Sequence, residues 1–232
     1  MARMNHRARA FISYSHRDRI YGAQVKTALA SVDMDAFLAH EDLETSDVWR
    51  KRILEELQSC DVFIPLLSAN FVASNWAQQE VGFIISRPET IITPLSIDGT
   101  IPFGFISHLQ SSPIKSEAFT RELLIDKLAP KFPRQIIPAL VRKAGAAADF
   151  RSAEKRMQPL VPLFPMFAPW EAQALADLAV DNGQIWDAAL CKRKFLPEFI
   201  RVQGKFIDDA TLRALTYQIE RGEWYREFAQ ST

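Results

Sequence analysis

The sequence predicts an α/β sandwich, a parallel sheet flanked by helices, with an α-helical region after it. Three observations predict this. Over the first 115 or so residues, short β-branched and aromatic runs alternate with amphipathic helical stretches. That succession builds βαβ units with right-handed crossovers and helices on both faces of a sheet. One run, DVFIPLLS at 61–68, is nearly all apolar, as a strand buried on both faces must be. After about residue 115 the strand-like runs stop and helical stretches dominate. The expected division is 1–115 for the sheet domain and 116–232 for a helical accessory region.

Taken in order, ARAFISY (8–14) reads as the first strand and gives way to the polar SHRDR. Residues 18–32 place Ile20, Val25, Leu29 and Val32 at roughly helical spacing. MDAFLA (34–39) is the second strand. Thr45 or Ser46 can cap the next helix, whose inward face would hold Val48, Ile53, Leu54 and Leu57. The apolar run at 61–68 is the third strand, a helix near 76–86 follows, and TIITPLSI (90–97) is the fourth. Pro65 and Pro94 lie inside strands and remove ladder donors, so bulges are expected there, or nitrogens that face no neighbour. Beyond 115, helices are expected at 116–129, 134–145, 149–158, 170–181 and 208–221. PLVPLFPMFAP (159–169) and Asn182-Gly183 punctuate them, Asp208-Asp209 starts the last and Gly222 stops it. This part is either a separate helical domain or a set of helices packed on the sheet. Its aromatics, Trp170, Trp186, Trp224 and Tyr225, read as core.

Composition narrows the function. Hydrophobic residues make up 48% and charged residues 24%, the balance of a globular protein with a core. Twenty-eight basic residues offset 28 acidic ones, so no net field holds nucleic acid or an anionic membrane. The clusters Arg142-Lys143 and Lys192-Arg193-Lys194 read as solvated helix faces. No apolar run reaches the length of a membrane span, and the amino-terminal stretch has no secretory leader pattern. Cys60 and Cys191 are far apart, which suits a reducing cytoplasm. His6, His16, His40 and His108 show no metal-ligand spacing, so no metal site is expected.

Three stretches carry chemistry. Phe11-Ile12-Ser13-Tyr14-Ser15-His16 ends a buried strand in hydroxyl and polar side chains. Phe37-Leu38-Ala39-His40-Glu41-Asp42-Leu43 runs a strand into a charged loop. SANFVASNWAQQEVG (68–82) is a loop entering a helix on which Trp76 and Glu80 lie one turn apart. In an open parallel sheet, ligands bind beyond the carboxyl ends of the strands where the order reverses. In a flavodoxin-like order that crevice lies between the first and third strands. The topology thus sends Tyr14, Ser15, Trp76 and Glu80 towards one crevice. Ser13 and Ser15 could equally cap the next helix, and Trp49 either stacks on a base or packs in the core.

These stretches, in this order, resemble the Toll/interleukin-1 receptor (TIR) family, specifically its prokaryotic members. FISYS is similar to the family's first box, FLAHEDL to its BB loop and SNWAQQEVG to the helix bearing its catalytic glutamate. The resemblance implies a flavodoxin-like TIR fold with a five-stranded parallel sheet, self-association, and cleavage of the nicotinamide–ribose bond of NAD⁺. Glu80 then matches the catalytic glutamate and Trp76 the aromatic one turn before it. Ser13, Tyr14, Ser15 and His16 match the strand end and loop that line the nucleotide site. His40, Glu41 and Asp42 match the BB loop, which gates the site and makes assembly contacts. NAD⁺ would be substrate, with no other cofactor and no metal. The setting implied is anti-phage defence of the Thoeris kind, in which a nucleotide product reaches a separate effector; lethal NAD⁺ depletion is the alternative.

The rival from another class is a catalytically silent TIR adaptor acting through TIR–TIR contacts. A receiver domain needs an aspartate ending the third strand, and this strand ends Leu66-Leu67-Ser68. No GxGxxG follows the first strand and no GxxxxGK[ST] is present, which excludes a dinucleotide-binding fingerprint and a P-loop.

Overall fold

The computed structural model describes residues 7–39 and 47–229, apart from the side chains of residues 47, 117–119 and 221–229. The chain forms two compact units, Met1–Lys127 and Leu128–Thr232.

The first unit runs β1 (Arg9–Ser13), α1 (Arg19–Ala30), β2 (Asp35–Leu38), α2 (Asp47–Ser59), β3 (Val62–Leu67), α3 (Ala69–Ala73), α4 (Asn75–Ile85), β4 (Ile91–Ile92), β5 (Leu95–Ser96), β6 (Ser112–Pro113) and α5 (Glu117–Leu128). Every pairing is parallel, in the order β2-β1-β3-β5-β6, with β4 also on β3. Taking β4 and β5 as one interrupted strand, the order is 2-1-3-4-5, that of a flavodoxin-like sheet. Its fifth strand, β6, is two residues long and carries too little pattern to stand out in the sequence.

The interruption follows from the prolines. The carbonyls of Asp61, Phe63 and Leu67 accept from the amides of Ile91, Thr93 and Ile97. Odd positions of β3 therefore face β4 and β5, and Pro65, also odd, turns its donor-less nitrogen to that side. The rung is lost there, between the two-residue pairings of β4 and β5. Pro94 uses its carbonyl for Ser112 on β6, so its own nitrogen points past the start of that strand.

Side chains alternate across β1. Phe11 joins Phe63, Ile53, Leu57, Ala77, Val81 and Ile84 in the core under α2 and α4. The rings of Phe11 and Phe63 stack at 5.8 Å, and Phe11 lies 5.4 Å from Phe37. On the other face α1 approaches closely: a Cβ at Gly22 would sit 3.2 Å from Leu38 and 3.4 Å from Tyr14.

Two helices differ from the predicted inward faces. Ile20 is 75% exposed and Val48 79% exposed, while Leu29 and Leu57 are buried. Each exposed residue lies nine positions before its buried partner, which at 3.6 residues per turn is half a turn away. Leu54 is also exposed, and α2 instead buries Glu56, which Arg9 and Arg52 neutralise at 2.6 and 2.5 Å. The predicted cap at Thr45 or Ser46 lies outside the described residues. Trp49 packs on Phe37, their rings 5.7 Å apart.

The second unit holds α6 (Pro133–Gly145), α7 (Phe150–Met157), α8 (Pro169–Asp181), α9 (Gly183–Trp186), α10 (Leu196–Gln203) and α11 (Asp209–Ala229). The expected punctuation at 159–169 largely proves to be a 3₁₀ helix, Gln158–Met166. Pro159, Pro162 and Pro165 recur every three residues, the period of that helix. Phe164, Phe167 and Phe199 form an aromatic core with ring centroids 5.1–6.1 Å apart. Asp208 caps α11 through the amides of Ala210 and Thr211. Gly222 does not stop α11, which continues to Ala229. An interior glycine costs about 1 kcal/mol, a penalty the helix-compatible residues after it absorb. Trp170 is 57% exposed rather than core, and the side chains of Trp224 and Tyr225 lie outside the described residues. Among the described residues no helix is long and apolar enough to cross a membrane.

Candidate active site

The site begins where β1 and β3 end side by side. Ser13 pairs in register with Pro65, so the turns leaving both strands start from one edge of the sheet. After β3, Ser68 caps α3 by accepting from Phe71 N–H at 3.0 Å, and Ser74 caps α4 through Ala77 N–H at 3.1 Å. Between them these serines fix where α4 starts and which residues face inward.

The inward stripe of α4 is Ala77, Glu80, Val81 and Ile84, spaced i, i+3, i+4, i+7. Three of the four are the expected apolar residues and the fourth is a carboxylic acid. Glu80 is 5% exposed, and Ser13, which is fully buried, donates its hydroxyl to Glu80 Oε2 at 2.5 Å. The bond spans 67 residues of sequence and joins the carboxyl end of β1 to the second turn of α4. A carboxylate among apolar neighbours is costly without such a donor. Trp76, one turn earlier, is 36% exposed and stands towards the solvent side of the stripe.

A second buried carboxylate ties the two turns together. Asp18, 6% exposed, accepts from Ser68 Oγ at 2.5 Å and from Asn70 Nδ2 at 3.2 Å. A third carboxylate reaches in after β5: Asp98 Oδ2 accepts from Ala69 N–H at 3.0 Å. The Thr100 hydroxyl, followed by the amides of Ala69 and Thr100, holds Asp98 below the usual carboxylate range. The turns after β1, β3 and β5 are thus braced to one another at the start of α3.

The residues singled out in the sequence separate in space. Ser13 and Glu80 meet directly. Tyr14 alternates to the opposite face and its ring packs near Gly22 of α1, only 2% exposed. Ser15 precedes the short 3₁₀ turn His16–Asp18 and makes no side-chain cap; its carbonyl accepts from Asp18 N–H at 2.7 Å. His16 opens that turn and is half-buried. His40, Glu41 and Asp42 lie outside the described residues. Asp18, Ser68 and Asn70 had escaped the sequence reading. Their signal was a carboxylate after one parallel strand and a hydroxyl ending its neighbour. Among the described residues no group of three or more His, Cys, Asp or Glu side chains is placed to hold a metal.

A buried carboxylate at the carboxyl edge of a parallel sheet can stabilise a developing cation and fix hydroxyl groups. The TIR domain profile matches residues 10–129, just over half of the chain and nearly all of the first unit. No curated protein matches the chain.

Proposed function

The chain belongs to the TIR domain family, and from that premise we propose that it is an NAD⁺ nucleosidase with Glu80 as its catalytic carboxylate. The family includes both NAD⁺-cleaving enzymes and catalytically inactive adaptors. The observation that supports the enzyme is the place of Glu80. It occupies an inward position of α4 where packing alone calls for an apolar side chain, at the sheet edge where ligands bind.

The chemistry asks for little more. Cleavage of the nicotinamide–ribose bond passes through an oxocarbenium-like state, as glycoside cleavage does. Glycosidases add an acid because an alkoxide leaves poorly. Nicotinamide leaves as a neutral molecule from a pyridinium, so no proton need be supplied. One carboxylate, bonded to the ribose hydroxyls and close to the growing positive charge, suffices. Trp76 covers a ring of the substrate, and the Ser15–His16 turn supplies further polar contacts. With water as the nucleophile at the ribose carbon, the products are nicotinamide, ADP-ribose and a proton. With an adenine ring nitrogen as the nucleophile they are nicotinamide and cyclic ADP-ribose, which has one water fewer than ADP-ribose.

Because Glu80 is 5% exposed, substrate reaches it only after an opening over the carboxylate. Self-association is the trigger in this reading, with the loop bearing His40, Glu41 and Asp42 completing a neighbour's site. The setting is anti-phage defence in the cytoplasm. The sequence resemblance supports the defence role, and two free, buried cysteines support a reducing compartment. The product either activates a separate effector or its formation depletes NAD⁺.

The test is direct. The purified chain and Glu80→Gln are incubated with NAD⁺ over a range of protein concentrations, and products are resolved by chromatography with mass detection. Nicotinamide release should rise per molecule with concentration and fall at least about a hundredfold in the variant, the scale of losing one transition-state contact. A wild type that releases nothing, even crowded or with phage-infected lysate added, would leave the adaptor as the reading.

A further inference from the structure

We propose that Ser13 is a positioning residue for Glu80 rather than a contact to the substrate, an inference that rests on the NAD⁺ nucleosidase reading. Ser13 is the last residue of β1, whose backbone is paired with β2 on one side and β3 on the other. It therefore cannot shift without disturbing the middle of the sheet. Its side chain is fully buried and turns on a single bond, so its hydroxyl proton has a fixed origin. Glu80, by contrast, reaches from a helix through three rotatable bonds. A donor at 2.5 Å on Oε2 sets the plane of the carboxylate and how far it extends.

The two faces of β1 support this assignment. The face towards α4 presents Phe11 and then Ser13, two residues on. Phe11 packs against Phe63 within the apolar cluster. Packing alone would continue that face with another apolar side chain. The hydroxyl stands instead where Glu80 meets the strand. Burying a hydroxyl and a carboxylate together confers little stability over an apolar pair of similar shape, because desolvation offsets the bond they make. A polar couple in this place is explained by what the carboxylate does. Ser13 is fully covered while Glu80 retains slight exposure, so the hydroxyl lies deeper than the carboxylate it bonds.

The experiment uses the full chain with Ser13→Ala, Ser13→Thr and the double variant Ser13→Ala/Glu80→Leu. Ser13→Ala should lower kcat by about tenfold to a hundredfold, as small misplacements of reacting groups do. KM should stay within about twofold, because binding contacts common to ground and transition states are kept. Ser13→Thr restores the donor on a side chain suited to strands and should recover most of the rate. The double variant should lose activity and unfold at the wild-type temperature or above it, as expected if the fold does not depend on the polar couple. A raised KM at unchanged kcat would make Ser13 a substrate contact and overturn the proposal. So would a wild-type kcat in Ser13→Ala.

Failure of the underlying reading has its own signature, a wild type that releases no nicotinamide, and it removes the positioning role with it. An unfolding cycle over Ser13→Ala, Glu80→Ala and both then tests the bond alone. A buried bond to a carboxylate couples the two sites by about tenfold or more in the unfolding equilibrium. Additive changes would mean that the hydroxyl and carboxylate do not meet in solution.

Discussion

Removing the Asp18 side chain tests the brace beneath the candidate site. In Asp18→Ala the Ser68 hydroxyl loses its acceptor while remaining 2% exposed, and Asn70 Nδ2 loses its partner at 3.2 Å. A stranded buried donor costs about 1–3 kcal/mol. Asn70 is only half-buried and regains water, so its share is a few tenths of a kcal/mol. Relief of the buried carboxylate works the other way and trims the total. The net loss is about 2 kcal/mol, and in a chain of 232 residues each kcal/mol moves Tm by about 2–4 °C. Thermal unfolding followed by circular dichroism should show Tm lower by about 4–8 °C. Asp18→Asn, which keeps the shape and one acceptor, should lose about half as much. The cap on Phe71 N–H is untouched, so α3 itself should persist in the far-ultraviolet spectrum. A Tm within about 1 °C of wild type in Asp18→Ala would refute the brace, since no relaxation short of rehydrating Ser68 cancels a loss of that size.

Other consequences are as open to measurement. A Cβ at Gly145 would lie 2.8 Å from both Leu178 methyls, so Gly145→Ala should destabilise the second unit by about 1 kcal/mol after the gain in helix propensity; an unchanged midpoint in urea would contradict so close an approach of α6 to α8. Burial pushes the thiols of Cys60 and Cys191 up to about 11 and about 12, leaving roughly one thiolate in a thousand or fewer at pH 8. Neither should react with a disulfide reagent until the chain is unfolded, and rapid labelling of the native protein would count against their burial. Desolvation raises the Glu171 carboxyl despite its bond from Ala168 N–H and its ion pair with Arg134. Its stabilising contribution is full below the unfolded carboxyl pKa and is lost as pH rises through the folded one. Wild type should accordingly gain on Glu171→Gln between pH 7 and pH 5 in denaturant titrations, whereas a gap that narrows on acidification would reverse the sign of the shift.

The sheet was legible because its strands carry the signal in their own residues. Val62–Leu67 is apolar at every position since both faces of β3 are covered, and a single residue reports that burial. The same logic failed where an element is defined by its partners. Ser112–Pro113 is a strand only because β5 lies beside it, and Ile20 and Val48 are apolar residues on helix faces that stay exposed among the described residues. The spacing WxxxE puts Trp76 and Glu80 one turn apart on α4, whereas the bond from Ser13 to Glu80 depends on two elements 67 residues apart. The alternation that sends Ser13 to α4 and Tyr14 to α1 follows from strand geometry once the facing helices are known. Asp18 was hidden for a simpler reason. In a run of charged residues, nothing local distinguishes the carboxylate that turns inward from those that stay in water.

The break at Pro65 and Pro94 gives the sheet two grades of cooperativity. β2, β1 and β3 are joined by four paired residues at each seam, while β4, β5 and β6 hang on by two apiece. Amide exchange should therefore run ahead at the β5–β6 edge, as a local opening that leaves the rest of the sheet intact. Asp98 follows that weaker edge and Asp18 follows the stronger one, and between them they grip the first turn of α3 at Ala69 and Ser68. An edge opening would release Ala69 and leave Ser68 held. The start of α3 would then be held from one side only, through Asp18, while α4 stays tied to the core by Ala77, Val81 and Ile84 and to β1 by the Ser13–Glu80 bond.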